Sequence, residues 1–313
     1  MTDSTAPQPI RSVLLVTNPL SGHGRGLTAA AAAAARFTDR GVRVTEVRGG
    51  TAEESVRQVR AALAAAAAPD AVVCAGGDGL VCITLGALAG SAVPLGLVPG
   101  GTGNDLAREL GVPEHDPIAA ADVVLDGRVR RVDLGTVESS TEPIRFATVV
   151  GTGFDARVTL RANRMRYPRG PLRYTLAALA EMASGLAVPY RIELSGVPGQ
   201  SDAVVEIEAV MVAVGNTRSY GGGMLICPDA VLDDGLLDVT VVGAMSRLEM
   251  IRLLPALAAG KRVDHPALSQ YRASTIVATA PGAPATADGE PAGVLPATFR
   301  ALPGALPVFV PDQ

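Results

Sequence analysis

Four glycine-rich turns carry the residues best suited to chemistry, and each follows an apolar run that predicts a strand. They are Asn18-Pro19-Leu20-Ser21-Gly22, Gly76-Gly77-Asp78-Gly79, Pro99-Gly100-Gly101-Thr102-Gly103-Asn104-Asp105 and Gly151-Thr152-Gly153-Phe154-Asp155. Glycine lets the main chain approach a phosphate closely, and the amides at the start of a helix offer that phosphate positive potential. The turns therefore predict a site for the phosphates of a nucleotide.

Short strands and helices alternate in the first half of the chain and would position these turns. Strands are predicted at residues 12–17, 42–47, 71–74 and 94–98, and a helix begins after Thr51, capped together with Glu54. This alternation predicts a parallel sheet covered by helices, with a ligand crevice at the carboxyl ends of the strands. The first three turns should therefore converge at one edge of that sheet.

Long alternating strands with few helices dominate the second half, a pattern typical of antiparallel sheets. Helices are expected at 171–184 and at 246–259, where Ser246 and Glu249 form a capping box. The last strands, at 297–301 and 306–310, follow a proline- and glycine-rich crossover and could return to the first domain.

The predicted fold class is α/β plus β, in two domains. A Rossmann-like parallel α/β nucleotide domain takes residues 9–135 together with about 297–313. An antiparallel β-rich, sandwich-like domain takes residues 136–296.

Composition limits the class of protein further. The 313 residues carry a net charge of −4, which gives no general field for a nucleic-acid backbone, so nucleic-acid binding is not expected. Three scattered cysteines in apolar segments predict reduced thiols and a cytoplasmic protein, as does the polar start of the chain. Residues 80–98 are uncharged, yet internal glycines and a proline divide them into a helix, a turn and a strand rather than a membrane span.

The usual nucleotide motifs, Gly-x-x-x-x-Gly-Lys-Ser/Thr and Gly-x-Gly-x-x-Gly, are absent from the sequence. The chain instead resembles, over nearly its whole length, the diacylglycerol kinase catalytic family, which includes bacterial lipid kinases and sphingosine kinases. The resemblance rests on an ordered set of fragments: Asn18-Pro19-x-Ser21-Gly22, Gly76 to Gly79, Pro94 to Ala107, Val132 to Gly135, Gly151 to Asp155, Asp233 to Asp238 and Asp288-Gly289-Glu290-Pro291.

The resemblance implies an enzyme that transfers the γ-phosphate of ATP, with Mg²⁺, to a primary hydroxyl of diacylglycerol or a related lipid. It places the nucleotide on residues of the first three turns: Asn18, Ser21, Gly22, Gly77, Asp78, Gly79, Thr102, Gly103, Asn104 and Asp105.

The resemblance also implies the catalytic groups. Glu290 should be the base, and Asp78 is a rival for that role because the sphingosine branch favours the Asp of this turn. Asp133, with Asp78 and Asp105, resembles the family's network of carboxylates and waters around the metal.

A second Mg²⁺ site is implied by the same resemblance. It would use the carbonyls of Val231 and Leu236 and the carboxylate of Asp234, an oxygen-only set that suits a hard cation. An equally plausible interpretation is a hairpin turn whose Asp234 caps main-chain amides.

Two departures from the family pattern leave alternatives open. Leu80 stands where the family usually has Thr, and Ile83 stands where it usually has Glu. These changes favour a catalytically weak, lipid-binding regulatory protein, whereas the presence of Asp78, Asp133 and Glu290 opposes that alternative. The Gly-Gly-Asp-Gly turn also occurs in kinases of soluble acceptors such as NAD, which is a further alternative.

An arginine-rich segment predicts where a lipid kinase would meet its substrate. Six arginines lie between Arg157 and Arg173, and they could bind anionic headgroups or form a solvated helix face. We therefore expect a peripheral protein at the inner membrane face, with a lipid as substrate. The family resemblance also suggests a homodimer.

Overall fold

Two compact units make up the chain in a computed structural model that describes residues 9–18, 25–139, 142–165, 167–168, 171–182 and 187–312. The first unit comprises residues 1–132 and 304–313, and the second comprises residues 133–303. In the described part of the chain, no helix has both the length and the apolar composition needed to span a bilayer.

The first unit is a parallel sheet with helices. Its strands are β1 (Ser12–Thr17), β2 (Arg43–Arg48), β3 (Ala71–Gly76), β4 (Leu95–Pro99) and the end of a long last strand, β17 (Ala297–Val310). Its helices are α1 (Arg25–Asp39), α2 (Ala52–Leu63), α3 (Asp78–Leu88), α4 (Asp105–Glu109) and α5 (Pro117–Asp126).

The strand order β2-β1-β3-β4-β17 confirms the predicted parallel α/β architecture. Every residue of β3 and β4 is buried, which is why these strands read as continuous apolar runs. Thr51 caps α2 by accepting a hydrogen bond from the Glu54 amide at 3.2 Å. The Glu54 carboxylate, however, accepts from the amide of Gly50 rather than from Thr51, so the expected reciprocal cap is shifted by one residue.

The second unit is mainly antiparallel. Its strands are β5 (Arg128–Glu138, which begins in the first unit), β6 (Ile144–Phe146), β7 (Val149–Thr152), β8 (Val188–Ser195), β9 (Ala203–Gly215), β10 (Ser219–Tyr220), β11 (Met224–Leu225), β12 (Leu237–Gly243), β13 (Leu268–Ala273), β14 (Thr275–Thr279), β15 (Pro284–Ala287), β16 (Glu290–Val294) and the start of β17. Its helices are α6 (Phe154–Arg164), α7 (Pro171–Glu181) and α8 (Arg247–Ala258).

The main sheet of this unit has the order β16-β15-β7-β9-β8-β14-β17, and β12 joins β9 to β13. Ile192, Leu237 and Phe299 belong to one buried cluster of the unit. The helices α6, α7 and α8 pack on a second cluster, to which they contribute Val158, Ala177 and Met250. The antiparallel, β-rich prediction is thereby confirmed.

Two details of the predicted ending are wrong. The proline- and glycine-rich segment after residue 280 is not a crossover, because β15 and β16 form a hairpin whose first strand pairs with β7. The two predicted last strands are one strand, β17, which continues through Gly304. Its end does return to the first unit, where Val308 lies beside Leu95 in parallel.

Candidate active site

The loops that follow β3 and β4 are packed main chain against main chain. The amide of Gly100 donates to the carbonyl of Gly76 at 2.9 Å. A Cβ at Gly101 would lie 2.5 Å from the Cα of Gly77, and one at Gly100 would lie 2.7 Å from the Cα of Gly26 in α1. Side chains at these positions would force the loops apart, so the glycines are required for the convergence that the sequence predicts.

Asp78 bridges these two loops. It is the first residue of α3. Its Oδ1 accepts a hydrogen bond from the amide of Asp105, and its Oδ2 accepts one from the amide of Asn104, both at 2.8 Å. Because both carboxylate oxygens are held by the main chain, the orientation of Asp78 is fixed.

The third glycine turn is held from within by polar side chains. Asn104 is buried in a left-handed conformation, with φ of 53°, and its Oδ1 accepts from the amide of Gly101 at 3.0 Å. Asp105 is buried and pairs with Arg108 at 2.8 Å, while Arg108 also donates to the carbonyl of Gly103 at 2.6 Å. Thr102 is exposed between these anchors. Arg108 was missed by the sequence analysis, although its position three residues after Asp105 in α4 is a signal for such a pair.

The remaining predicted nucleotide residues follow β1 or flank Asp78 in the sequence. Asn18 and Gly77 are half-buried and Gly79 is exposed, whereas Ser21 and Gly22 lie outside the described residues.

Leu80 and Ile83, the two departures from the family pattern, occupy different environments in α3. Leu80 is 4% exposed, and its side chain lies over Gly76, where an added Cβ would meet it at 2.8 Å. Ile83 is half-buried. Leu80 is therefore a core residue of the first unit rather than a group open to solvent.

Asp133 belongs to the second unit and holds the loop before β12. The side chain is 2% exposed. Its Oδ2 accepts from the amide of Gly235 at 2.7 Å, and its own amide donates to the carbonyl of Leu232 at the same distance. Asp133 is thus brought together with the loop of the predicted second metal site, whereas the two amides bonded to Asp78 belong to the first unit.

The carboxylate of Asp234 in that loop has two protein partners. Its Oδ1 accepts from the amide of Leu236 at 3.0 Å, and its Oδ2 pairs with Arg272. Arg272 also lies 3.4 Å from Asp238. Within the described part of the chain, no group of three or more His, Cys, Asp or Glu side chains could hold a metal ion.

These contacts do not favour a cation in the loop. A cation bound by Asp234 with the carbonyls of Val231 and Leu236 would have to share the carboxylate with Arg272. The amide-capping interpretation therefore describes the loop as it stands, and the metal set stays a prediction.

Glu290 begins β16 directly after a two-residue turn, Asp288-Gly289. Both turn residues have positive φ, 49° and 84°, which is the conformation of the tight hairpin turn that Asp-Gly sequences favour. Glu290 is exposed, and the protein atoms around its carboxyl raise the pKa above its usual value. A carboxylate with a raised pKa is a better proton acceptor than an ordinary Glu.

Asp288 anchors this turn and was missed as a positioning residue. Its Oδ2 accepts from the amide of Ala147 at 2.9 Å, and its Oδ1 accepts from the amide and hydroxyl of Thr148 at 2.9 and 2.5 Å. Burial raises the pKa of Asp288, against the effect of these hydrogen bonds. Within the motif Asp288-Gly289-Glu290, Asp288 therefore fixes the turn, and the turn holds Glu290 at the surface.

Asn216, also missed, connects Asp133 to this turn. Its Nδ2 donates to the carbonyls of Asp133 and Ala147, both at 2.9 Å. Ala147 in turn donates its amide to Asp288. The sequence feature that could have pointed to Asn216 is its polar side chain directly after the apolar second half of β9. Hydrogen bonds therefore connect the main chain at Asp133 with Asp288, the residue that anchors the turn before Glu290.

Asp155, in the fourth glycine turn, is half-buried, and one of its carboxyl oxygens has a hydrogen-bond partner among the described residues. Its Oδ1 accepts from the hydroxyl of Tyr220 at 2.6 Å, whereas its Oδ2 is buried with no hydrogen bond. Burial raises the pKa of Asp155 from 3.8 to about 6. The protonated form is therefore favoured in the folded protein relative to the unfolded chain.

We expect Asp155→Asn to flatten the dependence of stability on pH. Because the folded pKa is raised, the wild type loses stability as pH rises from 3.8 to about 6, by about 3 kcal/mol in total. Asn cannot ionise, so that loss should disappear from urea unfolding curves recorded between pH 4 and pH 7. The exposed Asp202→Asn is the control, and a variant curve parallel to wild type would contradict the buried ionisation.

Two known protein domains match the chain, one for each unit. Residues 12–137 match the diacylglycerol kinase catalytic domain, and residues 148–310 match the YegS C-terminal NAD kinase beta sandwich-like domain. A solved structure from Bacillus anthracis has a TM-score of 0.74 at 22% identity, covering 97% of this chain and 99% of its own. Another, described as a diacylglycerol kinase from the same organism, has a TM-score of 0.69 at 22% identity, covering 97% and 98%. These similarities establish the fold.

Fold and glycine loops together define a class, the lipid kinases with a parallel α/β unit and a β-rich unit. A diacylglycerol kinase of Mycobacterium tuberculosis is 45% identical over 303 residues, covering 96% of each chain, and one of Bacillus subtilis is 28% identical over 248 residues, covering 78% of each. The chain belongs to the diacylglycerol kinase family.

Proposed function

We propose that the protein transfers the γ-phosphate of ATP to a primary hydroxyl of diacylglycerol or a closely related lipid. The observation that carries the proposal is the pair of glycine loops packed main chain to main chain and bridged by Asp78. Such loops let the main chain come close to phosphates, and phosphoryl transfer depends mostly on positioning and charge stabilisation. The Mycobacterium tuberculosis relative, named a diacylglycerol kinase, supports the choice of acceptor.

We assign ATP to the first unit and the lipid to the second. The nucleotide would contact the turn after β1, through Asn18, Ser21 and Gly22, and the two packed loops after β3 and β4. The β-rich unit would then supply the lipid site and Glu290. This assignment gives each unit one substrate and follows the boundaries of the two family domains.

Glu290 is the group we propose as the base. It would take the proton of the acceptor hydroxyl as that oxygen attacks the γ-phosphorus, and ADP would leave with the electrons of the broken bond. Asp78 is less suited to this role because both of its oxygens already accept main-chain hydrogen bonds. Mg²⁺ bound with ATP would neutralise charge at the phosphate oxygens. Asp78 and Asp105 already have protein partners, so they would hold the ion through its water molecules.

The proposal predicts a metal-dependent activity with a lipid acceptor. Purified protein should transfer label from [γ-³²P]ATP to diacylglycerol in mixed micelles, in proportion to the concentration of the Mg²⁺–ATP complex, and excess EDTA should abolish the transfer. Sphingosine and NAD, offered under the same conditions, test the alternative acceptors.

The matched control is the Glu290→Gln variant from the same purification, which distinguishes this activity from that of a contaminating kinase. Label on NAD alone would identify a kinase of a soluble acceptor. No label on any acceptor, with lipid bound, would identify a regulatory lipid-binding protein.

A further inference from the structure

Helix α7 has an inverted pattern of polar and apolar residues. Its inner face packs on the buried cluster that it shares with α6, through Ala177 and Ala178. The acidic residue of the helix, Glu181, also lies inside, 7% exposed, and pairs with Arg157 at 3.3 Å and Arg161 at 2.5 Å. The side of α7 that a soluble helix normally buries is therefore filled by small and charged residues.

The opposite side of α7 carries three leucines in solvent. Leu172, Leu176 and Leu179 are 56%, 42% and 52% exposed. Their spacing of four and three residues places them on one stripe of the helix, opposite the face formed by Ala177, Ala178 and Glu181. We call Leu172, Leu176 and Leu179 the leucine face. Single exposed leucines need no explanation, but a stripe that faces outward on a helix with its acid turned inward does.

The segment that leads into α7 and forms most of it is rich in arginine, and Glu181 at the end of the helix is turned inward. Residues 156–180 include six arginines and no Asp or Glu. Arg164, at the end of α6, is exposed, whereas Arg157 and Arg161 are paired with Glu181. Arg173 lies over the ring of Tyr174 at 5.1 Å. Arg166 and Arg169, two members of the predicted arginine segment, lie outside the described residues.

Exposed leucines together with an exposed arginine favour one kind of partner for the leucine face. A second copy of the chain would bring its own exposed Arg164 against this one, whereas an anionic bilayer complements both Arg164 and the leucines. Amphipathic helices bind such surfaces with leucines in the acyl boundary and arginines at the headgroups.

We propose that the leucine face of α7 docks on an anionic bilayer surface, with its three leucines entering the interface and Arg164 contacting the headgroups. The inference deepens the proposed function, because a water-insoluble acceptor must be taken from a bilayer. It also refines the sequence expectation: the leucines supply penetration, and only part of the arginine segment supplies attraction.

Sedimentation with vesicles of phosphatidylcholine and phosphatidylglycerol tests the docking without ATP or turnover. Wild type should bind phosphatidylglycerol vesicles better than pure phosphatidylcholine vesicles, with a preference that fades between 50 and 500 mM NaCl. The triple variant Leu172→Gln, Leu176→Gln, Leu179→Gln should lose at least ~10-fold in partition coefficient. Arg164→Gln should weaken binding to phosphatidylglycerol vesicles only.

The matched control replaces three equally exposed apolar residues elsewhere: Ile118→Gln, Val129→Gln, Val204→Gln, which are 50%, 48% and 54% exposed. It should bind as wild type does, and circular dichroism melts check that both triple variants are folded. Wild-type binding by the leucine variant overturns the proposal. So does a wild-type dimer, seen by analytical ultracentrifugation, that only this variant dissociates.

The docking and the kinase activity can fail separately. Vesicle binding with no phosphorylation of any lipid would refute the proposed function and leave the docking surface standing. Phosphorylation of diacylglycerol in micelles, with no leucine-dependent binding to vesicles, would do the reverse.

Discussion

Replacement of Glu290 by Gln should lower kcat for lipid phosphorylation by ~10²-fold or more while leaving the affinity for ATP unchanged. Gln has the same size but cannot accept the proton of the acceptor hydroxyl. Because Glu290 is exposed at the start of β16, the substitution removes a basic group without disturbing a packed core. Initial rates with labelled ATP and titration calorimetry with a nucleotide analogue measure the two effects separately.

The pH dependence of the same reaction provides a second test of Glu290 as the base. Only the ionised carboxylate is a base, so kcat should fall as pH decreases through the pKa of Glu290. Since that pKa is raised above 4.5, the acid limb of the profile should lie at higher pH than for an ordinary Glu. The residual activity of Glu290→Gln should lack that limb.

Glu208→Gln is the matched control, because Glu208 is an exposed glutamate on β9 of the same unit. It should retain wild-type turnover and the same acid limb. If Glu290→Gln also kept wild-type turnover, the base would have to be sought elsewhere, with Asp78 as the next candidate.

The parts of the fold that the sequence predicts are those set by neighbouring residues. The capping box is one: Ser246 accepts from the amide of Glu249, and the Glu249 carboxylate accepts from the amide of Ser246, at 3.2 and 2.8 Å. The positions of the glycine turns are another, since an apolar strand before each turn and a helix after it mark them in the sequence. Local patterns of this kind do not depend on what the rest of the chain does.

The parts that were missed depend on partners far along the chain. The sequence of the β15–β16 hairpin predicts a connecting segment rather than strands, because it is rich in small residues, proline and glycine. It forms because β15 pairs with β7 and because Asp288 receives hydrogen bonds from Ala147 and Thr148, about 140 residues away. Asp133 and Gly235 are 102 residues apart. A single sequence holds no record of such pairings, so Asp133 could be recognised as an acid at a motif but not as the partner of Gly235.

The same difference separates a recognised motif from the role of its residues. The motif fragments located Asp78, but they do not say what its carboxylate contacts. The structure supplies that information: both oxygens are occupied by amides of the neighbouring loop. Asp78 thus sets the relative position of the two loops on which the phosphates are proposed to lie.

Asp78→Asn should therefore lower turnover by at least ~10²-fold in a protein that still folds. The amide group of Asn keeps one acceptor oxygen and places an NH₂ where the second oxygen was. Whichever way the amide is turned, the NH₂ would face the amide of either Asn104 or Asp105, and two donors cannot bond. That contact and the lost charge should displace the Gly103–Asp105 segment, at a cost of about 1–3 kcal/mol in unfolding free energy.

Asp70→Asn is the control for losing the charge of a carboxylate that main-chain amides hold in the same unit. Asp70 precedes β3, at the other end of the same sheet, and its Oδ2 accepts from the amides of Arg11 and Ser12 at 2.9 and 2.8 Å. Both amides bond to the same oxygen, so the amide oxygen of Asn can keep both hydrogen bonds, and stability in urea unfolding should fall less than in Asp78→Asn. Turnover should stay within about twofold of wild type, because no proposed substrate group lies at that end. Equal losses of turnover in both variants would mean that Asp78 acts through stability alone. A large loss confined to Asp78→Asn would assign it to the organisation of the phosphate site.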